Sequence, residues 1–190
     1  MQKKVYQVVT RAQLRALATT VRHDILDRLI ALGPLSVRQL AEALGRRPTA
    51  IYQHLKKLEK LGLVRGKRSS GREPGRPAMV YEPAGSVIRL TDAAKQNKNR
   101  KALAKIVRVA SMQAARDFDA AFSNPLRKVT GTSRNHTFFR AISAPSPTRL
   151  ARMNALLQEL EDLTWSPDPN PGPLISVAWF VAPLRPPGKS

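Results

Sequence analysis

The 190-residue sequence predicts a mainly α-helical fold with a small β component, an α+β chain in two parts. Residues 11–89 form the first part, residues 95–184 the second, and residues 185–190 a disordered tail. Three observations predict this. Apolar residues recur at helical spacing in six segments. The helices before residue 62 are short, and the last three of them stop at glycines 33, 45 and 62. Residues 64–83 hold two strand-like runs around the Gly-, Pro- and Arg-rich stretch "SSGREPGRP".

The first part reads as follows. Leu14 and Leu17 share one side of a helix over 11–18. Val21, Ile25, Leu29 and Leu32 make the stripe of a second helix over 20–32, stopped by Gly33-Pro34. In "LSVRQLAEALG", Ser36 and Gln39 have the spacing of a capping box, in which hydroxyl and amide each satisfy one free backbone N–H. Gly45 ends that helix because it tolerates the left-handed conformation. Pro48 suits a first helical position, and Ile51, Leu55 and Leu58 form the stripe of the next helix, ended by Gly62. Its other side carries Thr49, Tyr52, Gln53, Lys56 and Lys60. "LVRGKR" and "AMVYEP" then read as the strands of a hairpin with a long basic tip.

The second part begins with the polar run "KQNKNRK" (95–101). A long helix follows to about Phe122. Its stripe of Leu103, Ile106, Val107, Ala110, Ala114 and Phe118 is long enough to serve as a dimer seam. "HTFFRAI" (136–142) is compatible with a strand. Ser146-Pro147 opens another helix with Leu150, Met153, Leu156, Leu157, Leu160 and Leu163 apolar. "LISVAWFVAPL" (174–184) reads as the best strand in the chain, so a small C-terminal sheet is expected. "TDAAK" (91–95) reads as a turn into a helix.

Composition narrows the function. Lys and Arg number 33 against 13 Asp and Glu, a formal charge of +20, and a chain this basic is built to meet a polyanion. Residues 1–90 carry 18 basic and 6 acidic side chains, residues 91–190 carry 15 and 7. The excess is therefore densest in the first part. No apolar run is long enough to cross a membrane, and no secretory signal is evident, so no membrane partner and a cytoplasmic location are expected. There is no cysteine, which removes thiolate metal sites and cysteine nucleophiles. His23, His54 and His136 lack ligand spacing, so no metal and no cofactor are expected.

Two short helices joined by a tight turn, followed by a basic hairpin, make a winged helix-turn-helix. The second helix (48–61) fits the major groove of double-stranded DNA, with its N-terminal residues nearest the base edges. Thr49, Tyr52, Gln53 and Lys56 are the candidate readers, and Arg46 and Arg47 flank them beside the backbone. The wing (64–83) adds Arg65, Lys67, Arg68, Arg72 and Arg76 for phosphates or the minor groove. "PGRP" (74–77) is similar to a minor-groove hook core, and a plain turn explains it equally well.

"LRALATTVRHDILDRLIALGPLSVRQLAEALGRRPTAIYQHLKKLEKLGLV" (14–64) resembles the bacterial ArsR-type winged-helix transcription regulators, and the likeness extends to about Pro83. The resemblance implies a homodimer on a roughly palindromic operator, repression as the default, base reading by Thr49, Tyr52, Gln53 and Lys56, and backbone contact by the wing. The cysteine metal motif of the family's founding sensors is absent.

Three functions compete. The first is a DNA-binding transcription regulator. The second is a non-specific basic architectural or RNA-associated winged-helix protein; the polar, varied reading face argues against it. The third, an enzyme with an attached DNA-binding domain, has no glycine-rich loop, triad or carboxylate pair to carry it, so no enzymatic activity is expected. Phe138, Phe139, Trp165, Trp179 and Phe180 leave open either a core or a pocket for an unknown small-molecule effector.

Overall fold

The computed structural model describes residues 4–68, 79–165 and 172–184. Its order is β1 (Val5–Gln7), α1 (Arg11–Leu17), α2 (Thr20–Leu32), β2 (Leu35–Ser36), α3 (Val37–Ala43), α4 (Pro48–Lys60), β3 (Val64–Arg68), β4 (Met79–Pro83), β5 (Val87–Arg89), α5 (Thr91–Ala94), α6 (Arg100–Ala120) and α7 (Pro147–Trp165). Short 3-10 turns precede and follow α6, at Asn97–Asn99 and Ala121–Ser123. The wing tip at 69–78 and the tail at 185–190 lie outside the described residues.

The helix boundaries follow the local chemistry. The capping box at α3 is present in full: Gln39 N–H donates to the Ser36 hydroxyl at 3.3 Å, and Ser36 N–H donates to Gln39 Oε1 at 2.8 Å. A second box starts α1, with Thr10 and Gln13 in the same roles. Gln13 is buried, and its amide also donates to the Tyr6 hydroxyl and to the Leu61 carbonyl, both at 3.0 Å. One side chain thus ties β1, α1 and the end of α4 together. Gly45 stands at φ +58°, and this left-handed residue makes the tight turn into α4.

One core holds the first part together. Leu14, Ile25, Leu29, Leu40, Ile51, Leu55, Leu58 and Leu63 are completely buried, and Tyr81 of β4 closes the wing side at 1% exposure. Truncating one of these leucines to alanine costs about 2–5 kcal/mol. The wing sheet runs β2-β4-β3, all antiparallel, with Gly66 opposite Tyr81 and Arg65 opposite Glu82.

Three strands carry no periodic signal of their own. β1 pairs in parallel with β5, Val5 opposite Val87, and β2 adds two residues to the wing. Gly85 makes the first pairing feasible: a Cβ there would stand 2.5 Å from the Lys4 carbonyl.

Two expectations for the second part fail. Residues 136–142 and 174–184 are in no strand, and the small C-terminal sheet is absent among the described residues. Residues 174–184 are exposed throughout. An apolar run shows a need for burial, but a strand also needs a neighbouring backbone to pair with, and no described segment of this chain pairs with it.

Candidate nucleic-acid interface

The candidate reading head is built on α4. Ile51, Leu55 and Leu58 are completely buried and fix the helix against the core. At 100° per residue, this turns Thr49, Gln53, Lys56 and Lys60 to the opposite side, with Tyr52 at its edge. All five are exposed. Lys56 Nζ lies 5.5 Å from the Tyr52 ring centre and 3.4 Å from Glu59 Oε2. Tyr52 first, then the hydrogen bond to Glu59, raise the Lys56 pKa above the ordinary lysine value. Lys56 is cationic on the exposed side of α4, beside Tyr52 and Glu59.

Arg46 and Arg47 are exposed in the turn, as is Arg38 on α3. Together with Glu42 and Pro48 they line a shallow concavity of about 600 Å³ at the head of α4, where three basic groups outnumber one acid. Arg47 is the N-cap residue and makes no side-chain capping bond, Pro48 has no N–H to offer, and the Ala50 and Ile51 N–H groups donate to the Arg47 carbonyl at 3.1 and 3.3 Å. The three guanidinium groups, not the helix N-terminus, are what this concavity offers a phosphate. Sequence reading missed Arg38, because only the crossing of α3 over α4 brings it there.

His54 is half-buried on the side of α4 away from the readers. Burial first, then the charges of Arg22 and Arg46, lower its pKa below the ordinary histidine value, so it adds no charge to the interface at neutral pH. Asp24 on α2 lies on the same side. Burial raises its carboxyl, and Arg116 and Arg46 partly oppose that rise. Gln113 of α6 donates to Asp24. This contact ties α6 to α2 beside Arg46.

In the wing, Arg65, Lys67 and Arg68 are exposed on β3. Lys67 Nζ pairs with Glu82 Oε2 at 2.6 Å across the hairpin, so its charge is already matched. Strand alternation puts Arg68 on the face shared by Gly66, toward α4. Arg72 and Arg76 lie outside the described residues. Gly66 packs closely: a Cβ there would stand 2.7 Å from Met79 Cε and 2.8 Å from Glu59 Oε1, so both side-chain ends would have to shift.

The stripe on α6 divides. Ile106 is only 4% exposed and belongs to the core of this same chain, with Leu103 packed against it. These two are therefore not open to a partner. The spacing correctly marked an apolar face, but α1 and α2 fill the helix-facing side first. Ala110 and Ala114 are half-buried, and Val107 is exposed. Phe118 stacks on His136, ring centres 4.0 Å apart. His136 Nδ1 accepts from Arg127 Nε at 2.7 Å, and Nε2 faces the Phe118 carbonyl at 3.1 Å. This histidine pins the loop after α6 onto the helix end.

Of the aromatic residues read as core or pocket, Phe138, Phe139 and Phe180 are exposed. Trp165 and Trp179 line a cleft of about 480 Å³ between β5 and α7, beside the Arg89–Glu161 ion pair at 2.6 Å. Among the described residues no group of His, Asp and Glu is arranged to hold a metal ion, and no helix is long and apolar enough to cross a membrane.

Residues 20–65 match the family model described as bacterial regulatory protein, arsR family. Solved structures similar to this chain include RV1404 from Mycobacterium tuberculosis, at 13% identity over 84% of this chain and 86% of that one, with a TM-score of 0.33. The transcriptional regulator Tm0710 from Thermotoga maritima aligns at 16% identity over 77% and 76%, with a TM-score of 0.33. The YusO protein from Bacillus subtilis aligns at 11% over 80% and 79%, with a TM-score of 0.35. No curated protein is a significant match to the chain.

Proposed function

We propose, from the premise that residues 20–65 are an ArsR-type helix-turn-helix, that this chain is a DNA-binding transcription regulator, with no catalytic role. The observation that carries the reading is the two-sided character of α4. Ile51, Leu55 and Leu58 are completely buried on one side, while Thr49, Gln53, Lys56 and Lys60 are exposed on the other. A helix held this rigidly presents a polar, varied face to base edges, which is what direct readout requires.

Around that face the positive groups fall where phosphates would run. Arg38, Arg46 and Arg47 lie at the helix head, and Arg65 and Arg68 on the wing. Arg72 and Arg76, outside the described residues, are assigned to the same role by their place in the wing sequence. The protein acts in this view as a homodimer on a roughly palindromic operator in the cytoplasm, and it represses by occupying a promoter. A bound small molecule would act through the second part, because Gln113 of α6 touches Asp24 beside Arg46.

The test is binding of the purified protein to the DNA immediately upstream of its own gene, against a shuffled competitor, across a salt series. A preference of about a thousandfold or more that survives physiological salt supports a site-specific regulator. Equal binding to both DNAs at every fragment of a genome-wide selection, collapsing steeply with salt, would instead support the architectural reading that the +20 charge also allows.

A further inference from the structure

We propose that α7 is the seam of the homodimer, pairing antiparallel with α7 of a second copy about a two-fold axis near Leu156. The inference deepens the homodimer reading above and replaces α6 as the seam.

Two observations converge on it. The first is an open apolar stripe. Leu150, Met153, Leu156, Leu160 and Leu163 are 39, 37, 47, 40 and 68% exposed. Steps of three and four residues put them on one side of a 19-residue helix about 28 Å long. The helix touches its own chain along the side next to the stripe: Glu161, three turns on from Leu150, pairs with Arg89, and Thr164 and Trp165 line the cleft at β5. The contact borders the stripe at its Leu150 edge and leaves Met153, Leu156, Leu160 and Leu163 exposed. The stripe's repeat is that of a helix seam, so a second helix fits it better than a sheet or a small ligand.

The second observation is the order of the charges. Arg149 and Arg152 lie in the first half of α7, Glu159, Glu161 and Asp162 in the second. This is the reverse of what the helix macrodipole favours, which is acid at the N-terminus and base at the C-terminus. The order has no stabilising role within one helix. Against an antiparallel copy it does. Arg152 and Glu159 are seven residues apart on one edge of the stripe, both exposed, and neither has an ion-pair partner among the described residues. Antiparallel pairing brings like edges together, so each Arg152 meets the other copy's Glu159, twice by symmetry. The same alignment sets Leu150 near Leu163 and Met153 near Leu160. A parallel pair would instead set like charges at the same level.

The chain has no cysteine, so introduced cysteines report position without background. Three full-length variants, Leu156→Cys, Leu150→Cys and Leu163→Cys, are oxidised separately and resolved by mass. Covalent dimers from Leu156→Cys alone, together with dimers from a mixture of the other two, are the expected result. Dimers from all three alone, or from none, overturn the proposal. Charge reversal gives an independent reading that keeps the apolar stripe intact. Arg152→Glu and Glu159→Arg should each weaken dimerisation at least tenfold, and the double variant should restore it. Unchanged singles or an unrestored double overturn the pairing. Neither experiment uses DNA. A chain that cross-links as expected but shows no operator preference would sink the DNA reading alone, and the converse would sink the seam alone.

Discussion

Glu59, one residue before the end of α4, accepts a hydrogen bond from the backbone N–H of Gly66 in β3 at 3.1 Å. The bond joins the reading helix to the wing directly. The same carboxylate holds Lys56 at 3.4 Å. Glu59→Ala should therefore lower stability by about 1–2 kcal/mol, the cost of leaving a part-buried donor unmatched. It should weaken DNA binding by more than its charge predicts, since removing an acid from a DNA-facing surface otherwise strengthens binding. Gly66→Ala should loosen the same joint with Glu59 intact, because the added Cβ displaces its Oε1. Urea unfolding and DNA binding of both variants test this. Tighter DNA binding by Glu59→Ala would show that the joint does not position the wing.

Gln53 sits in the middle of the exposed face of α4, one turn from Thr49 and about one turn from Lys56. Its amide can donate and accept together, which suits an adenine edge. Gln53→Ala should relax base preference at one operator position by about 1–3 kcal/mol and leave stability unchanged. Competition against single-base operator variants reads this directly. Equal losses on operator and random DNA would remove Gln53 from the readers.

The first part of the fold was legible because its signals are local. The Ser36–Gln39 box, Pro48 at the head of α4 and the glycines at 33, 45 and 62 act within a few residues of themselves. The stripe of Ile51, Leu55 and Leu58 needed only helical spacing. What was not legible depends on distant partners. β1 pairs with β5 across some eighty residues, anchored by Val8 N–H on the Arg89 carbonyl. Arg38 joins the interface only through a helix crossing. The assignment of Ile106 to a dimer seam, and of residues 174–184 to a strand, shares one cause. Apolar spacing states that a face will be covered and is silent on whether the cover comes from the same chain.

His54 offers a pH test of the packing behind the reading face. Its pKa is lowered in the folded chain, by burial first and by Arg22 and Arg46 next. The unfolded chain therefore takes up this proton first as pH falls. Stability should be full above the ordinary histidine value of 6.5 and decline as pH drops through it, levelling off below the folded value. Asp24 works in the opposite sense, since its raised carboxyl gains a proton more readily when folded. The His54 contribution is thus read as a difference. Between about pH 7.5 and 5.5, the thermal midpoint should fall more in the wild type than in His54→Gln. Equal falls would mean that His54 is not held neutral.

Arg68 and Lys67 are neighbours on the wing, yet they should answer a salt series differently. Arg68 is exposed and on the face turned toward α4, where a phosphate strand beside the reading helix would pass. Lys67 is held by Glu82 at 2.6 Å, and the two charges cancel at any distance beyond the pair. Each phosphate that the protein neutralises releases counterions, so the slope of binding against salt counts the contacts. Arg68→Ala should weaken operator and random DNA alike and reduce that slope by about one. The double variant Lys67→Ala/Glu82→Ala removes one charge of each sign and should leave the slope nearly unchanged. Lys67→Ala alone exposes Glu82 to the phosphates and should weaken binding more than the double variant does. Should the double variant lose the full unit of slope while Arg68→Ala keeps it, the phosphate contact belongs to Lys67, and the wing meets the backbone with its outer face.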